Sequence, residues 1–386
     1  MYHYLNICVT LKVDFCVEKK LLINLYFIKM RKFLVFALFV ALLSACNNSV
    51  EEKNVDNDNN YVSVNGAGAT FPMPFYRMIF KKYTNQTGNL VIYGGIGSGG
   101  GIRSIKDRIV DFGATDAFLT ESKMKDLPAE IVHIPTCLGA VVIAYNLPGV
   151  NDIKLTPDLI ADIFTGRIKK WNHPKIKENN NSANLPDTDI IVVHRADGSG
   201  TTHIFSDFMT KTSSVWASEM GTGKSLKWKT GIGSNGNPGV SRTIKATKGA
   251  IGYIGSEYAF EQDVQSALVM NKSGKYIKPS ISSITAAAKG NIPDNTCVML
   301  TNSADENSYP ISGFTWLIIY KEQSYDYRSL EQAEQTVKLL NWIINKDAQQ
   351  MASKVHYAPL PKQAVEKARN ILKTITYNGK VILNKD

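Results

Sequence analysis

One stretch of the sequence decides the fold: Val193-His194-Arg195-Ala196-Asp197-Gly198-Ser199-Gly200-Thr201-Thr202-His203-Ile204-Phe205. The β-branched run before it, residues 190–193, predicts a buried strand. Apolar residues recur at helical spacing over residues 202–209, so the stretch predicts a strand, a glycine turn and a helix. The first N–H groups of such a helix have no intrahelical acceptor and favour an anion.

The polar side chains of this turn fit the same interpretation. Ser199 and Thr201 add hydroxyl donors, and Arg195 adds a fixed positive charge with planar donors. Asp197 would repel an anion unless it forms an ion pair with Arg195 and holds it in place. The alternative is a surface turn in which Ser199 only caps the helix.

Two other stretches repeat the pattern. The glycine-rich residues 64–72 follow a short apolar run at 61–64 and precede a helical pattern, in which Pro72 suits the first turn. The glycine-rich residues 94–102 follow a predicted strand at 90–93 and lead into a helix predicted to start near Ile102. Thr70 and Ser98 place hydroxyl groups at these junctions, which suggests that several helix ends converge on one small oxyanion.

A fourth stretch contributes an acid. Asp116 comes just past a short predicted strand, among small residues that allow a ligand to approach closely. An ionised carboxylate only accepts hydrogen bonds, so it tolerates an anion that carries a proton. Phosphate near neutral pH carries one and sulfate does not. The alternative for Asp116 is a turn or helix-capping acid.

Four motifs together resemble a known family in their order and spacing. They are Gly66-Ala67-Gly68-Ala69-Thr70-Phe71-Pro72, Gly95-Ile96-Gly97-Ser98-Gly99-Gly100, Asp111-Phe112-Gly113-Ala114-Thr115-Asp116 and Arg195-Ala196-Asp197-Gly198-Ser199-Gly200-Thr201. This set is similar to the phosphate-binding protein of the bacterial high-affinity phosphate ABC transporter. The resemblance runs from about residue 61 to near the C-terminus.

The resemblance implies a fold, a function and a site. It implies a two-lobed α/β periplasmic binding protein fold with a hinge and the ligand in the interlobe cleft, with lobe one at 61–138 and 306–386 and lobe two at 139–305. It implies a monomer that binds inorganic phosphate outside the cytoplasmic membrane, delivers it to the permease and ATPase of an ABC importer, and is not an enzyme. The phosphate-binding residues that it implies are Ala69, Thr70, Phe71, Ser98, Asp116, Arg195, Ser199, Gly200 and Thr201, with Asp197 paired to Arg195.

The pattern of the remaining chain also predicts an α/β protein. Strands are predicted at 131–134, 140–145, 250–254 and 313–320, and an amphipathic helix at 330–345. Thr156 is predicted to cap a helix with Pro157 in its first turn. Residues 221–225 resemble a broken P-loop and are predicted to form an ordinary loop.

The N-terminus predicts a lipoprotein. Met30-Arg31-Lys32 is a basic n-region, and the apolar residues 33–43 are too short to span a bilayer stably. Leu43-Ser44-Ala45-Cys46 resembles a lipobox, which makes 1–45 a leader and signal peptide, Cys46 the lipidated residue and 46–60 a flexible tether. Translation would start at Met30, and the protein would be a membrane-anchored lipoprotein of the periplasm or cell surface. An ordinary signal peptide that contains a cysteine, or an unusual extended leader, remains the alternative.

Charge and cysteine content narrow the function classes. The chain carries 44 Lys and Arg against 34 Asp and Glu, a net charge of +10. Without the predicted leader, residues 1–45, the balance is 38 basic against 32 acidic residues, a net charge of +6. This mildly basic balance can attract an anion, but no nucleic-acid motif accompanies it. The histidines lack metal-ligand spacing, so neither a metal nor a cofactor is expected. Cys137 and Cys297 could pair or remain free thiols.

Two rival functions remain at this point. A secreted phosphatase would need a nucleophile with its base, but Ser98 and Ser199 do not meet the G-x-S-x-G rule because Ile96 and Asp197 stand at its first position. A lipoprotein adhesin or phosphate sensor could use the same domain for binding alone.

Overall fold

The computed structural model describes residues 62–383, and their strands form mainly one large sheet. The strands are β1 Val64–Gly68, β2 Val91–Gly95, β3 Phe112–Thr115, β4 Ile131–Tyr145, β5 Lys154–Leu155, β6 Ile191–Arg195, β7 Ile232–Ser234, β8 Ala250–Gly255, β9 Gln265–Ser266, β10 Leu268–Met270, β11 Tyr276–Ile277, β12 Ser312–Tyr320, β13 Thr376–Tyr377 and β14 Lys380–Val381.

Helices connect most of these strands. They are α1 Met73–Thr87, α2 Ser98–Lys106, α3 Glu121–Met124, α4 Pro157–Phe164, α5 Pro174–Asn179, α6 Gly200–Thr212, α7 Ser214–Glu219, α8 Gly236–Ala246, α9 Ser256–Glu261, α10 Ile281–Ala287, α11 Leu330–Ile343, α12 Lys346–Ala352 and α13 Lys362–Leu372, with a short 3₁₀ turn at Ser353–Val355.

The large sheet has two halves joined by one long strand. Its order is β2-β1-β3-β12-β4-β8-β6-β7, and β9 also pairs with β4. We call β2-β1-β3-β12 half-sheet one and β8-β6-β7 half-sheet two. β4 pairs antiparallel with β12 over residues 131–140 and with β8 over residues 141–145. Every residue of β4 except Val132 is buried, so this strand runs through the core between the halves.

The continuity of β4 corrects one prediction. Residues 131–134 and 140–145 were expected as separate strands, but they belong to a single strand of 15 residues. Pro135 cannot donate to a ladder, which makes it an unusual residue for a central strand. The structure accommodates it beside an irregularity: Trp316 pairs with Pro135 and Thr315 with Cys137, so that the register shifts there.

The first two glycine junctions are also shifted from their predicted positions. β1 contains the glycines that were predicted to form the turn. A Cβ at Gly66 would lie 2.0 Å from the Phe112 ring, so this strand needs glycine there for packing. The chain turns later, at residues 69–72, and α1 follows directly. α2 begins at Ser98, four residues earlier than the predicted start near Ile102.

Other predicted elements are confirmed. The third junction gives β6, the N-cap Ser199 and α6 as expected. Thr156 caps α4 by accepting a hydrogen bond from Leu159 N (3.2 Å). β8, β12 and α11 lie where their patterns placed them, and residues 221–225 form a loop.

The two cysteines of the described region are free thiols. Cys137 is buried in β4 and Cys297 is half-buried in a loop. The predicted signal peptide, the lipidation at Cys46 and the tether lie outside the described residues. Across residues 62–383 no helix has both the length and the apolar character needed to cross a membrane.

Candidate functional site

The N-terminal ends of α1, α2 and α6 meet between the two half-sheets. Gly99 N donates to Gly198 O (2.8 Å), and Gly200 N donates to Ser98 Oγ (3.1 Å). Asn237 N, at the start of α8, donates to Thr70 Oγ1 (3.0 Å). The second and third predicted junctions are therefore in direct contact across the two halves of the sheet, and the first reaches the third through Asn237, which also donates to Thr201 Oγ1 (3.0 Å).

Two glycines allow this close contact. Gly97 has φ +83°, and a Cβ there would lie 2.3 Å from Asp197 Oδ2. A Cβ at Gly200 would lie 2.5 Å from Ser98 Oγ and 2.6 Å from Asp116 Oδ2. Any larger residue at Gly200 would separate the two halves at this point.

Two threonine hydroxyls of the site have their acceptor capacity filled. Thr70 Oγ1 accepts from Asn237 N (3.0 Å) and from Asn237 Nδ2 (3.1 Å). Thr201 Oγ1 accepts from Asn237 Nδ2 (3.0 Å) and from Arg195 Nη1 (3.3 Å). A hydroxyl has one proton and two acceptor lone pairs, so both protons remain available to donate. Both side chains are buried.

The two serines have related surroundings. Ser98 Oγ accepts from Asp116 N (3.2 Å) and Gly200 N (3.1 Å), and its contact with Asp116 Oδ2 is long at 3.4 Å. Ser199 Oγ accepts from Thr202 N (3.0 Å) and caps α6. Ser199 therefore caps α6 as the alternative predicted, but it is fully buried and does not lie in a surface turn. Its hydroxyl proton is still free to donate elsewhere.

Arg195 is held by the acid predicted to pair with it. Arg195 Nε donates to Asp197 Oδ1 (2.7 Å) and Arg195 Nη2 contacts Asp197 Oδ2, which makes a two-point ion pair. Asp197 Oδ1 also accepts from Gly236 N (3.0 Å). These contacts lower the pKa of Asp197 despite the opposing effect of burial, so Asp197 stays ionised. The ion pair with Asp197 therefore fixes the position of the Arg195 guanidinium and largely balances its positive charge.

Asp116 is the acceptor of the site. It is fully buried, and Thr315 Oγ1 donates to its Oδ1 (2.6 Å). Burial raises the pKa of Asp116 to about 7, against the lowering effects of the Thr315 hydroxyl, the Arg195 charge and the Ser98 hydroxyl. The carboxyl can therefore take either protonation state near neutral pH.

The remaining predicted residues lie in the first junction. Ala69 N donates to Ala114 O (2.9 Å), which ties the turn to β3. Phe71 is fully buried, and its N–H donates to no acceptor within residues 62–383. Gly200, at the start of α6, is buried against Ser98 and Asp116.

Asn237, Thr315 and Tyr258 were not predicted. Asn237 bridges the threonine hydroxyls of both halves, while its Oδ1 accepts from Gly255 N (2.9 Å). The Tyr258 hydroxyl donates to Thr70 O (2.5 Å). Asn237 lies in a Gly-Asn-Pro run that is typical of a turn, so its sequence gave no sign of this role.

The neighbouring histidines have structural surroundings. The His194 ring stacks on Trp228, with ring centroids 4.6 Å apart. Burial lowers the pKa of His203 to about 4, so this ring is neutral near pH 7. Within the part of the chain that the structure describes, no group of three or more His, Cys, Asp or Glu side chains could hold a metal ion.

The arrangement suits a tetrahedral oxyanion that still carries a proton. Hydroxyl protons of Thr70 and Thr201 and the Arg195 guanidinium are donors, and the Asp116 carboxylate is an acceptor. Because Asp197 balances Arg195, a bound anion would be held by this pattern of hydrogen bonds more than by net charge.

Comparison with known proteins identifies the family. A family model described as a PBP superfamily domain matches residues 51–347. A phosphate-binding protein PstS of Pasteurella multocida is 36% identical over 317 residues, which cover 81% of this chain and 90% of that protein. The chain belongs to this family. A PstS of Methanocaldococcus jannaschii is 33% identical over 81% of this chain and 86% of its own. These relatives are named as binding proteins, in agreement with the prediction that the chain is not an enzyme.

Solved structures agree on the fold. A putative phosphate ABC transporter substrate-binding protein from Clostridium perfringens, solved with bound phosphate, has a TM-score of 0.57 at 18% identity, covering 78% of this chain and all of that one. A periplasmic phosphate-binding protein, PfluDING, has a TM-score of 0.62 at 18% identity over 80% of this chain and 93% of its own. At this level of identity the match supports the two-lobed α/β fold and nothing finer.

Proposed function

We propose that this protein binds inorganic phosphate outside the cytoplasmic membrane and delivers it to an ABC-type phosphate importer. One observation carries the proposal: buried hydroxyls from both half-sheets have filled acceptor positions and free protons, beside a fixed arginine and a carboxylate that can accept a proton. Phosphate matches this set because it offers several acceptor oxygens and one donor near neutral pH.

Each site residue then has a role. Thr70, Ser98, Ser199 and Thr201 donate through their hydroxyls, and Arg195 through its guanidinium. The backbone N–H of Phe71 adds a donor, and Ala69 lines the first turn. The Gly200 N–H donates to Ser98 Oγ in this structure and would have to share that bond with the anion. Asp116 accepts the proton of the phosphate, and Asp197 positions Arg195. Each charge-assisted hydrogen bond contributes about 1.5–3 kcal/mol before the anion's desolvation is subtracted.

We further propose that the two half-sheets belong to two lobes, with lobe one at 61–138 and 306–386 and lobe two at 139–305. β4 crosses between them near residue 140, where its pairing changes from β12 to β8. Closure of the lobes brings Gly200 onto Ser98 and excludes water from the anion.

The remaining parts of the proposal concern location and partners. Lipidation of Cys46 would anchor the protein to a membrane, with residues 46–60 as a tether and the folded part acting as a monomer. The importer's permease and ATPase would be its protein partners. Mass spectrometry of the protein from its native membrane fraction tests the anchor. A diacylglyceryl-modified Cys46 at the N-terminus supports it. An unmodified N-terminus before or after Cys46 contradicts it.

Titration calorimetry tests the function. The purified protein is unfolded, freed of bound anion and refolded, and phosphate is then titrated into it. We expect saturable binding of one phosphate per chain and no hydrolysis of a chromogenic phosphate ester. Absence of phosphate binding would contradict the proposal, and turnover of the ester would favour a phosphatase.

A further inference from the structure

The first turn of the site is contacted from behind by a tyrosine of the opposite half-sheet. The Tyr258 hydroxyl donates to the carbonyl oxygen of Thr70 at 2.5 Å. Thr70 directly follows half-sheet one, whereas Tyr258 lies in α9, directly after β8 of half-sheet two. This hydrogen bond therefore joins the two halves, and it can exist only when they are closed against each other.

The acceptor of this bond belongs to a peptide group that faces the site. The carbonyl of Thr70 and the N–H of Phe71 are two ends of one planar peptide unit. Donation to the carbonyl oxygen polarises the unit and makes its N–H a stronger donor, as in any hydrogen-bonded chain at low dielectric. The Phe71 N–H is buried and has no acceptor within residues 62–383.

We propose that Tyr258 is a positioning residue for anion binding. In the closed protein its hydroxyl fixes the plane of the Thr70–Phe71 peptide and strengthens the Phe71 N–H as a donor to the bound anion. Lobe closure and donor strength are thereby coupled through one hydroxyl. This inference rests on the proposed function, because it requires an anion at the Phe71 N–H.

The geometry allows the hydroxyl to be removed without loss of the turn. Thr70 O also accepts a local hydrogen bond from Met73 N (3.3 Å), which keeps the carbonyl satisfied. The Tyr258 side chain is buried, and phenylalanine preserves its ring in the same space. Tyr258→Phe therefore changes one hydroxyl group at a position that never touches the anion.

The chain offers a matched control. Tyr309 is fully buried, and its hydroxyl has no hydrogen-bond partner within the described residues. Tyr309→Phe deletes the same atom from an equally buried ring, but it breaks no bond to the anion-binding turn. Any general effect of losing a buried hydroxyl appears in both variants.

The experiment compares phosphate binding of the parent, Tyr258→Phe and Tyr309→Phe by calorimetry and stopped-flow kinetics. We expect Tyr258→Phe to weaken phosphate affinity about tenfold, the effect of losing one hydrogen bond of ordinary strength. The loss should lie in a faster dissociation rate, since the bond forms only after closure, with the association rate unchanged. Tyr309→Phe should match the parent.

A spectroscopic readout separates positioning from packing. The amide ¹⁵N resonance of Phe71 in the phosphate-bound protein should move upfield in Tyr258→Phe and stay in place in Tyr309→Phe. If the parent binds phosphate and Tyr258→Phe binds it equally tightly, or if the Phe71 resonance does not move, the inference is wrong while the proposed function stands. If the parent itself does not bind phosphate, the proposed function fails first.

Discussion

Under the proposed function, anion selectivity depends on Asp116. Its carboxyl is buried next to hydroxyl groups, and Thr315 holds one of its oxygens at 2.6 Å. The pKa raised to about 7 by burial means that this acceptor becomes a donor in mildly acidic solution. Selectivity against a fully deprotonated anion should therefore depend on pH.

This dependence can be measured with sulfate. Above pH 7 the ionised Asp116 opposes a sulfate oxygen, whereas below pH 7 the protonated carboxyl donates to it. We expect the sulfate affinity of the parent to rise about tenfold between pH 8 and pH 6, because the protonated fraction of a carboxyl with a pKa of about 7 rises about tenfold over this range. Asp116→Asn should show a much flatter profile, since an amide does not titrate. A parent whose sulfate affinity is flat over this range would contradict the assigned role.

Asn237 is predicted to organise donors from both halves of the site. Its Nδ2 donates to Thr70 Oγ1 and Thr201 Oγ1, which directs both hydroxyl protons away from it. Asn237→Asp replaces this donor with an acceptor of similar size, so the hydroxyls would donate to the new carboxylate. We expect at least a tenfold loss of phosphate affinity by calorimetry, from about two hydrogen bonds. Unchanged affinity would show that the hydroxyls are oriented by other groups.

Glu257 is predicted to make stability depend on pH. Its side chain is fully buried, its Oε1 has no hydrogen-bond partner among residues 62–383, and burial raises its pKa from 4.5 to about 8. Between these values the folded protein binds a proton that the unfolded chain does not, so stability falls as the pH rises through the window. Asp116 acts in the same direction up to about pH 7.

Urea unfolding at pH 5.5 and pH 8 without phosphate measures this effect. Glu257→Gln keeps the shape but cannot titrate, so the stability lost between the two pH values should be smaller than in the parent. Glu366→Gln, at an exposed position of α13, is the control and should behave like the parent. An identical loss in all three proteins would contradict the prediction.

Sequence reasoning predicted the residues of the glycine junctions that the structure brings together. Thr70, Ser98 and Arg195 were recognisable because strand, glycine and helix signals surround them locally. Asn237 and Thr315 were missed because their role exists only through contacts 167 and 199 residues away, with Thr70 and Asp116 respectively. Such contacts depend on tertiary packing, and the residues that neighbour Asn237 and Thr315 in the sequence do not indicate them.

Among the secondary-structure elements, the N-terminal ends of three helices and the ends of the strands that precede them form the candidate site. α1, α2 and α6 each begin within five residues of the end of a strand, so their N-terminal N–H groups reach the same region between the half-sheets. These elements were predictable because their apolar periods are clear. The continuity of β4 was not, because Pro135 and the register shift beside it interrupt the pattern of a regular central strand.

The contact between α2 and α6 gives a test of closure. In Gly200→Ala the new Cβ would lie 2.5 Å from Ser98 Oγ, a contact across the halves and not within either. Relieving this overlap should cost about 3 kcal/mol when the halves close, so we expect phosphate affinity to fall about a hundredfold or more. The thermal midpoint of the phosphate-free protein should barely change. Gly290→Ala, where a Cβ meets no atom within 4 Å, is the matched control. Normal binding by Gly200→Ala would mean that the two elements need not touch in the liganded protein.

At the level of the whole molecule, two half-sheets share one long strand, and under the proposed function they close over one anion. The fold class followed from the alternation of strands and helices and from the family resemblance. The match to the Pasteurella multocida protein, which covers 81% of the chain at 36% identity, confirms the family resemblance and with it the fold class. The borders of the two lobes remain a prediction, because the shared strand β4 makes the halves continuous.

The most direct test of the account is a side-by-side titration of phosphate and sulfate at pH 8 into the anion-stripped parent and Asp116→Asn. We expect one tightly bound phosphate per parent chain and sulfate bound far more weakly than phosphate. Asp116→Asn should bind phosphate more weakly than the parent and sulfate more tightly, because the amide can donate to an oxygen that has no proton. Equal binding of the two anions by the parent, or undiminished rejection of sulfate by Asp116→Asn, would contradict the central claim that a buried carboxylate selects an anion by its proton.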